Sequence, residues 1–255
     1  MRQFFLDTAD TRLPAAGDTV ALDPDESHHL FTVLRGGRET TLHLVDGRGH
    51  RLTGVSTGKQ GRQALVRIET VTADQREMKP PQLTLACAVV KGKRFEWAVE
   101  KAVELGVHRI IPLRCEHGVI DPREGKLNRW TAIMKSALKQ CGRSWRPTLA
   151  TPQTVAAAMT ACAPGDIFFG AAPWEAPTRE VRHWIGLLGE KPAVLPPTLG
   201  FFVGPEGGWS PAELEILAGG AHPVSLGPHV LRAETAVAAG LTAMQSVRQF
   251  WLDET

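Results

Sequence analysis

Gly200-Phe201-Phe202-Val203-Gly204-Pro205-Glu206-Gly207-Gly208-Trp209-Ser210-Pro211-Ala212-Glu213 passes from an apolar run through a glycine-rich loop into the start of a helix. The apolar residues fit a buried strand. Ser210 at the N-cap, Pro211 at the first helical position and Glu213 three residues after the cap form a capping box. Open α/β sheets bind ligands beyond the carboxyl ends of their strands, at turns of this kind. Glycines there let the backbone approach a ligand and take positive φ. Glu206 is not needed for the turn. A lone glycine-rich loop is equally compatible with a plain tight turn.

A second segment shifts that balance. Val224-Ser225-Leu226-Gly227-Pro228-His229-Val230-Leu231-Arg232-Ala233-Glu234-Thr235-Ala236 is again strand, Gly-Pro loop and helix, the helix running from Ala233 to about Phe250. Two such units in succession place two loops at one end of a sheet. Glu234 in the first helical turn is favoured by the helix dipole whatever its function. Arg232 sits at the positive end of that dipole, where a structural reading offers it little. Neither segment is a P-loop, and no G-x-G-x-x-G follows the first strand of the α/β part, which argues against nicotinamide chemistry and a Rossmann-type site.

Outward from these segments, the chain alternates strand and helix. Leu83–Val90, Arg109–Leu113, Asp166–Phe169 and Gly200–Val203 read as buried strands. Arg94–Leu105 reads as a helix with Phe95, Ala98, Val99, Ala102 and Val103 on one face and Gly106 as its stop. Leu127–Gln140 is a second helix, and another is expected from about Val181. The pattern predicts a mostly parallel sheet covered on both faces. The first 75 residues differ. Thr41–Val45, Arg51–Ser56 and Gln63–Val71 read as short strands, with turns at Asp46–Gly49 and Thr57–Gly61, and suggest a small β-barrel. Asp25–Leu34 is a short helix closed by Arg35-Gly36-Gly37. The polar stretch Thr72–Pro81 marks a boundary, giving domains at 1–75 and 80–255.

Composition is that of an ordinary globular chain of 255 residues. Cys87, Cys115, Cys141 and Cys162 form no C-x-x-C pair, so a zinc ribbon or a dithiol redox site is not expected. The amino terminus lacks a long apolar segment and no apolar run is long enough to span a membrane, which predicts a cytoplasmic protein. Residues 91–146 carry 13 Lys or Arg against 6 Asp or Glu, whereas residues 147–255 carry 5 against 10. Positive charge is thus concentrated in the middle stretch, where it suits either a phosphate-facing surface or a solvated helix face.

Gly204–Gly208 together with Leu226–Ala236 resembles the knotted SPOUT RNA methyltransferases. The resemblance is strongest to the bacterial enzymes that methylate N3 of a uridine in small-subunit (16S) ribosomal RNA. His28-His29-Leu30 with Val33-Leu34-Arg35, Lys101–Val107, and Lys139–Ser144 with Pro147 extend it, in order, over nearly the whole chain. Departures stand at His229, Ala233 and Lys139. The family implies an α/β protein with an N-terminal PUA-like β-barrel that helps grip RNA. It implies a C-terminal domain with a trefoil knot that binds S-adenosylmethionine and pairs as a homodimer, acting on ribosomal RNA within the small subunit. On this reading Gly204, Pro205, Glu206, Gly207, Leu226, Gly227, Leu231, Arg232 and Thr235 hold the cofactor. Arg232 stabilises a uridine anion or forms a structural ion pair with a carboxylate such as Glu234, and Glu234 orients Arg232, acts as base or serves as a helix-start carboxylate. Arg35, Lys91, Lys93, Arg94, Arg143 and Arg146 are candidate RNA contacts, with Trp145 between the last two suited to stacking on a base. Each is also readable as a solvated cation. His28-His29 has no second cluster at ligand spacing, so no metal is expected. Two other readings stay open: another methylation, such as ribose 2′-O, and an RNA-binding protein without catalysis.

Overall fold

Ala64, Val66 and Ile68 alternate in sequence, and all three are buried, so the third N-terminal run is the strand its pattern predicts. Leu65, out of pattern, is half-buried on the other face. The computed structural model describes residues 3–8, 12–118, 124–171, 182–183 and 191–253. The first sheet holds β1 (Gln3–Phe5), β2 (Thr19–Ala21), β3 (Thr41–Val45), β4 (His50–Gln60) and β5 (Gln63–Ala73), in the order β1-β3-β4-β5-β2. β1 pairs parallel with β3, and the remaining pairs are antiparallel. The turn expected at Thr57–Gly61 is shorter than predicted. β4 absorbs Thr57 by a register shift against β5 and continues to Gln60, and Gly61-Arg62 make the turn. Asp23 caps α1 (Pro24–His28) by accepting from the Glu26 amide at 2.8 Å, and a π-helical turn follows at His29–Val33.

Residues Met1–Glu77 form one compact unit together with Lys135–Arg146. Within it Lys135 Nζ lies 3.0 Å from Asp23 and Lys139 Nζ 2.5 Å from the buried Glu26. Lys139, a departure from the family pattern, is therefore the counter-ion of an inaccessible carboxylate.

The second unit holds β6 (Gln82–Ala88), α2 (Lys93–Glu104), β7 (Arg109–Leu113), the start of α3 (Glu124–Cys141), β8 (Thr148–Leu149), α4 (Val155–Cys162), β9 (Asp166–Gly170), β10 (Arg182–His183), β11 (Thr198–Val203), α5 (Pro211–Ala218), β12 (His222–Ser225) and α6 (Ala233–Asp253). Among the described residues its seven strands follow the order β10-β12-β9-β11-β6-β7-β8, and each of these pairs is parallel. The five apolar residues expected on the inner face of α2 are all buried. The helix expected from about Val181 lies outside the described residues except at Arg182–His183, which are a short strand. The sequence reading missed α4 because Val155-Ala156-Ala157-Ala158-Met159 is apolar on every side and shows no helical contrast. α6 buries Val237, Gly240, Leu241, Met244, Val247 and Trp251 at helical spacing. The buried Arg248 fastens its far end, donating to the carbonyls of Pro81 at 2.7 Å and Lys79 at 2.8 Å.

Candidate active site

β12, β9 and β11 are adjacent and parallel, so their carboxyl ends deliver three loops to one edge of the sheet. A cavity of about 280 Å3 lies there. From the loop after β11 it is lined by Gly204, Pro205, Glu206 and Gly207, and from the loop after β12 by Leu226, Gly227 and Leu231. Gly170 and Ala171, at the end of β9, form the floor. The sequence reading missed this pair, although two small residues directly after Ile167-Phe168-Phe169 were a signal of close backbone approach.

Local chemistry shapes both loops. The Gly208 amide donates to the Pro205 carbonyl at 3.0 Å and closes a tight turn. The Trp209 indole N–H donates to the Gly170 carbonyl at 3.2 Å, tying this loop to the end of β9. Gly227 has φ +137°, a conformation side chains rarely adopt, and Ser225 Oγ accepts its amide at 3.3 Å. His117 Nδ1 lies 3.2 Å from the carbonyls of both Gly207 and Gly208. Carbonyls only accept, so this nitrogen carries a proton.

The capping box of α5 forms as predicted, and it does more than cap. Glu213 is buried; one oxygen accepts from the Ser210 amide at 2.9 Å and the other from the Glu116 amide at 3.0 Å. It thereby fixes the segment after β7 against the helix that follows the glycine loop. Glu213→Ala leaves both amides without that acceptor and is expected to destabilise the protein by about 1–3 kcal/mol. Urea denaturation checks this; an unchanged midpoint would show the clamp to be dispensable.

The helix-start residues divide. Helical geometry turns Ala233 and Ala236 toward the cavity and leaves Arg232 and Thr235 exposed outside its lining. Of the cofactor residues expected from the sequence, Arg232 and Thr235 are therefore not among those that line this cavity. Among the described residues the Arg232 side chain has no ion pair or hydrogen bond, and none forms with Glu234. Glu234 Oε2 is buried without a partner among them. Burial pushes the Cys87 thiol up, Cys115 to about 12 and Cys162 to about 11. None of these three offers a thiolate nucleophile at neutral pH.

The expected RNA contacts also divide. Lys91 and Lys93 are exposed after β6, and Arg94 Nη1 lies 2.5 Å from Glu206. In the N-terminal unit Arg35 is exposed, and Arg146 is exposed with its guanidinium 5.8 Å from the Phe5 ring centre. Arg143, by contrast, is buried and paired with Glu77. Trp145 donates its indole N–H to the Asp74 carbonyl at 2.6 Å, so that edge is already engaged.

Comparison with known proteins agrees with this geometry. The RNA methyltransferase domain family matches residues 77–245. A Synechocystis protein named ribosomal RNA small subunit methyltransferase E is 32% identical over 234 residues, covering 90% of this chain and 73% of its own. The Legionella pneumophila putative methyltransferase Lpg2936, solved with bound cofactor SAM, has a TM-score of 0.81 at 28% identity, covering 96% of each chain. A ribosomal RNA small subunit methyltransferase E from Neisseria gonorrhoeae, solved bound to S-adenosyl methionine, has a TM-score of 0.80 at 28% identity, covering 97% of this chain and 98% of its own. With a parallel sheet, two glycine loops at its edge and a family match over most of its length, the chain belongs to the RNA methyltransferase domain family.

Proposed function

We propose that the protein transfers a methyl group from S-adenosylmethionine to N3 of a uridine in small-subunit ribosomal RNA. The observation that carries this reading is a cavity built from two glycine loops beside the head of α6, where Arg232 is exposed and Glu234 Oε2 is buried, neither with a hydrogen-bond partner among the described residues. The lining suits the cofactor: Gly204, Gly207 and Gly227 let backbone wrap an adenosyl group, and Glu206 sets a carboxylate beside a cationic ligand. When bound, S-adenosylmethionine supplies an electrophilic methyl whose bonding electrons stay on sulfur.

The uridine N3–H must lose its proton for the nitrogen lone pair to form the new bond. Arg232 stabilises the resulting anion. Glu234 takes the proton or orients Arg232. Lys91, Lys93 and Arg94, with Arg35 and Arg146, contact phosphates of the RNA. Residues 1–75 act as a PUA-like barrel that grips RNA, and residues 80–255 as a SPOUT domain with a C-terminal trefoil knot. The protein works in the cytoplasm as a homodimer. Val230 and Phe250, 63% and 44% exposed, are apolar side chains that a second copy would cover. Among the described residues no helix is long and apolar enough to cross a membrane.

Nucleoside mass spectrometry of small-subunit ribosomal RNA from a strain lacking this protein tests the reading. We expect the loss of N3-methyluridine from one position, restored when the gene is returned. Loss of a 2′-O-methylated nucleoside instead would move the chemistry to the ribose, and unchanged RNA would remove the substrate assignment.

A further inference from the structure

The cofactor cavity has a neighbour. Between the loops after β6 and β11 lies a second cavity of about 340 Å3, walled by Val89, Val90, Lys91, Arg94, Pro205 and Glu206. Pro205 and Glu206 line both cavities. At that shared wall Arg94 Nη1 lies 2.5 Å from Glu206 Oε1, and the two side chains are 38% and 42% exposed. Ion pairs this accessible contribute little to stability, so either partner can be taken by a stronger one.

We propose that the Arg94–Glu206 pair is a switch through which an RNA phosphodiester bound at Lys91 and Arg94 sets the charge of the cofactor cavity. The inference rests on the methyltransferase reading above. A guanidinium binds phosphate oxygens through two parallel hydrogen bonds, and Lys91 adds a second cation in the same cavity. Phosphate thus competes with Glu206 for Arg94. Once Arg94 turns to phosphate, Glu206 is left as an uncompensated carboxylate on the cofactor side. A bare carboxylate favours a cationic ligand over its neutral counterpart. The methyl donor carries the sulfonium charge, and S-adenosylhomocysteine, the spent form, is neutral at sulfur. RNA engagement therefore selects the charged donor over the spent product. By linkage the donor tightens RNA in return.

Isothermal titration calorimetry of S-adenosylmethionine and S-adenosylhomocysteine against the full-length protein reads this as a ratio of affinities. Arg94→Ala, which unmasks Glu206 without RNA, is expected to raise the preference for the charged donor roughly 5-fold. Glu206→Gln is expected to lower it, and adding Arg94→Ala to Glu206→Gln to have no further effect. Polyuridylate, with its binding followed by fluorescence anisotropy, is expected to shift the wild-type ratio as Arg94→Ala does and to bind Arg94→Ala more weakly. An unchanged ratio in Arg94→Ala, or one that moves equally with Glu206→Gln in place, overturns the switch. Polyuridylate that fails to bind the wild type, or binds without moving the ratio, overturns its phosphate half. Absence of any S-adenosylmethionine binding to the wild type would instead remove the functional reading on which the switch stands.

Discussion

Arg232→Ala is expected to cut methyl transfer by about 10²–10³-fold while leaving the unfolding midpoint where it is. The two halves of this expectation have separate causes. Arg232 is exposed and its side chain is without a polar partner among the described residues, so its removal breaks no hydrogen bond or ion pair among them. On the proposed mechanism its charge acts only as the uridine anion forms, and one such stabilising group carries about 3–4 kcal/mol of the barrier. Because Arg232 does not line the cavity, S-adenosylmethionine affinity is expected to stay within about twofold of wild type. Arg232→Lys keeps a point charge and loses the planar fork, and an intermediate rate is expected. Single-turnover transfer to small-subunit RNA with saturating cofactor provides the measurement. Turnover of Arg232→Ala close to wild type would remove the residue from the chemistry.

Gly240→Leu is expected to lower the unfolding midpoint by about 4–8 °C. Helix preference alone predicts the opposite, because leucine is favoured over glycine inside a helix by about 1 kcal/mol. Packing decides the sign. A Cβ at Gly240 would overlap the ring of Phe201, which is 0% exposed in the middle of β11 between β6 and β9. The ring has nowhere to go, so α6 must move off the sheet, and overpacking of this kind costs about 1–3 kcal/mol or more. A net loss of about 2 kcal/mol gives the stated shift for a chain of this size. The same displacement would pull the head of α6 from the cavity, so cofactor affinity should fall with stability. A midpoint equal to or above wild type would show that the sheet accommodates the side chain.

What could be read along the chain was what is local in it. The capping box at Ser210–Glu213, the inner face of α2 and the two strand–glycine loops rest on spacings of a few residues, and each appears where expected. Pairings over long separations left no trace in the sequence. Arg94 meets Glu206 across 112 residues and Lys139 meets Glu26 across 113. Arg143 looked like a surface cation because the carboxylate that buries it, Glu77, is 66 residues away. Arg232 was legible as a helix-start cation that the helix dipole gives no structural reason to be there. Its exclusion from the cavity lining was not, since one turn of helix decides which of Arg232, Ala233 and Thr235 faces inward.

The return of Lys135–Arg146 to the N-terminal unit bears on modularity. A gene fragment ending at codon 77 would encode Glu26 without Lys139 and Glu77 without Arg143, stranding two acidic groups that the intact chain neutralises. The unit is therefore not a portable cassette. Grafting it onto another scaffold requires the end of α3 as well, so two separate stretches of gene have to travel together.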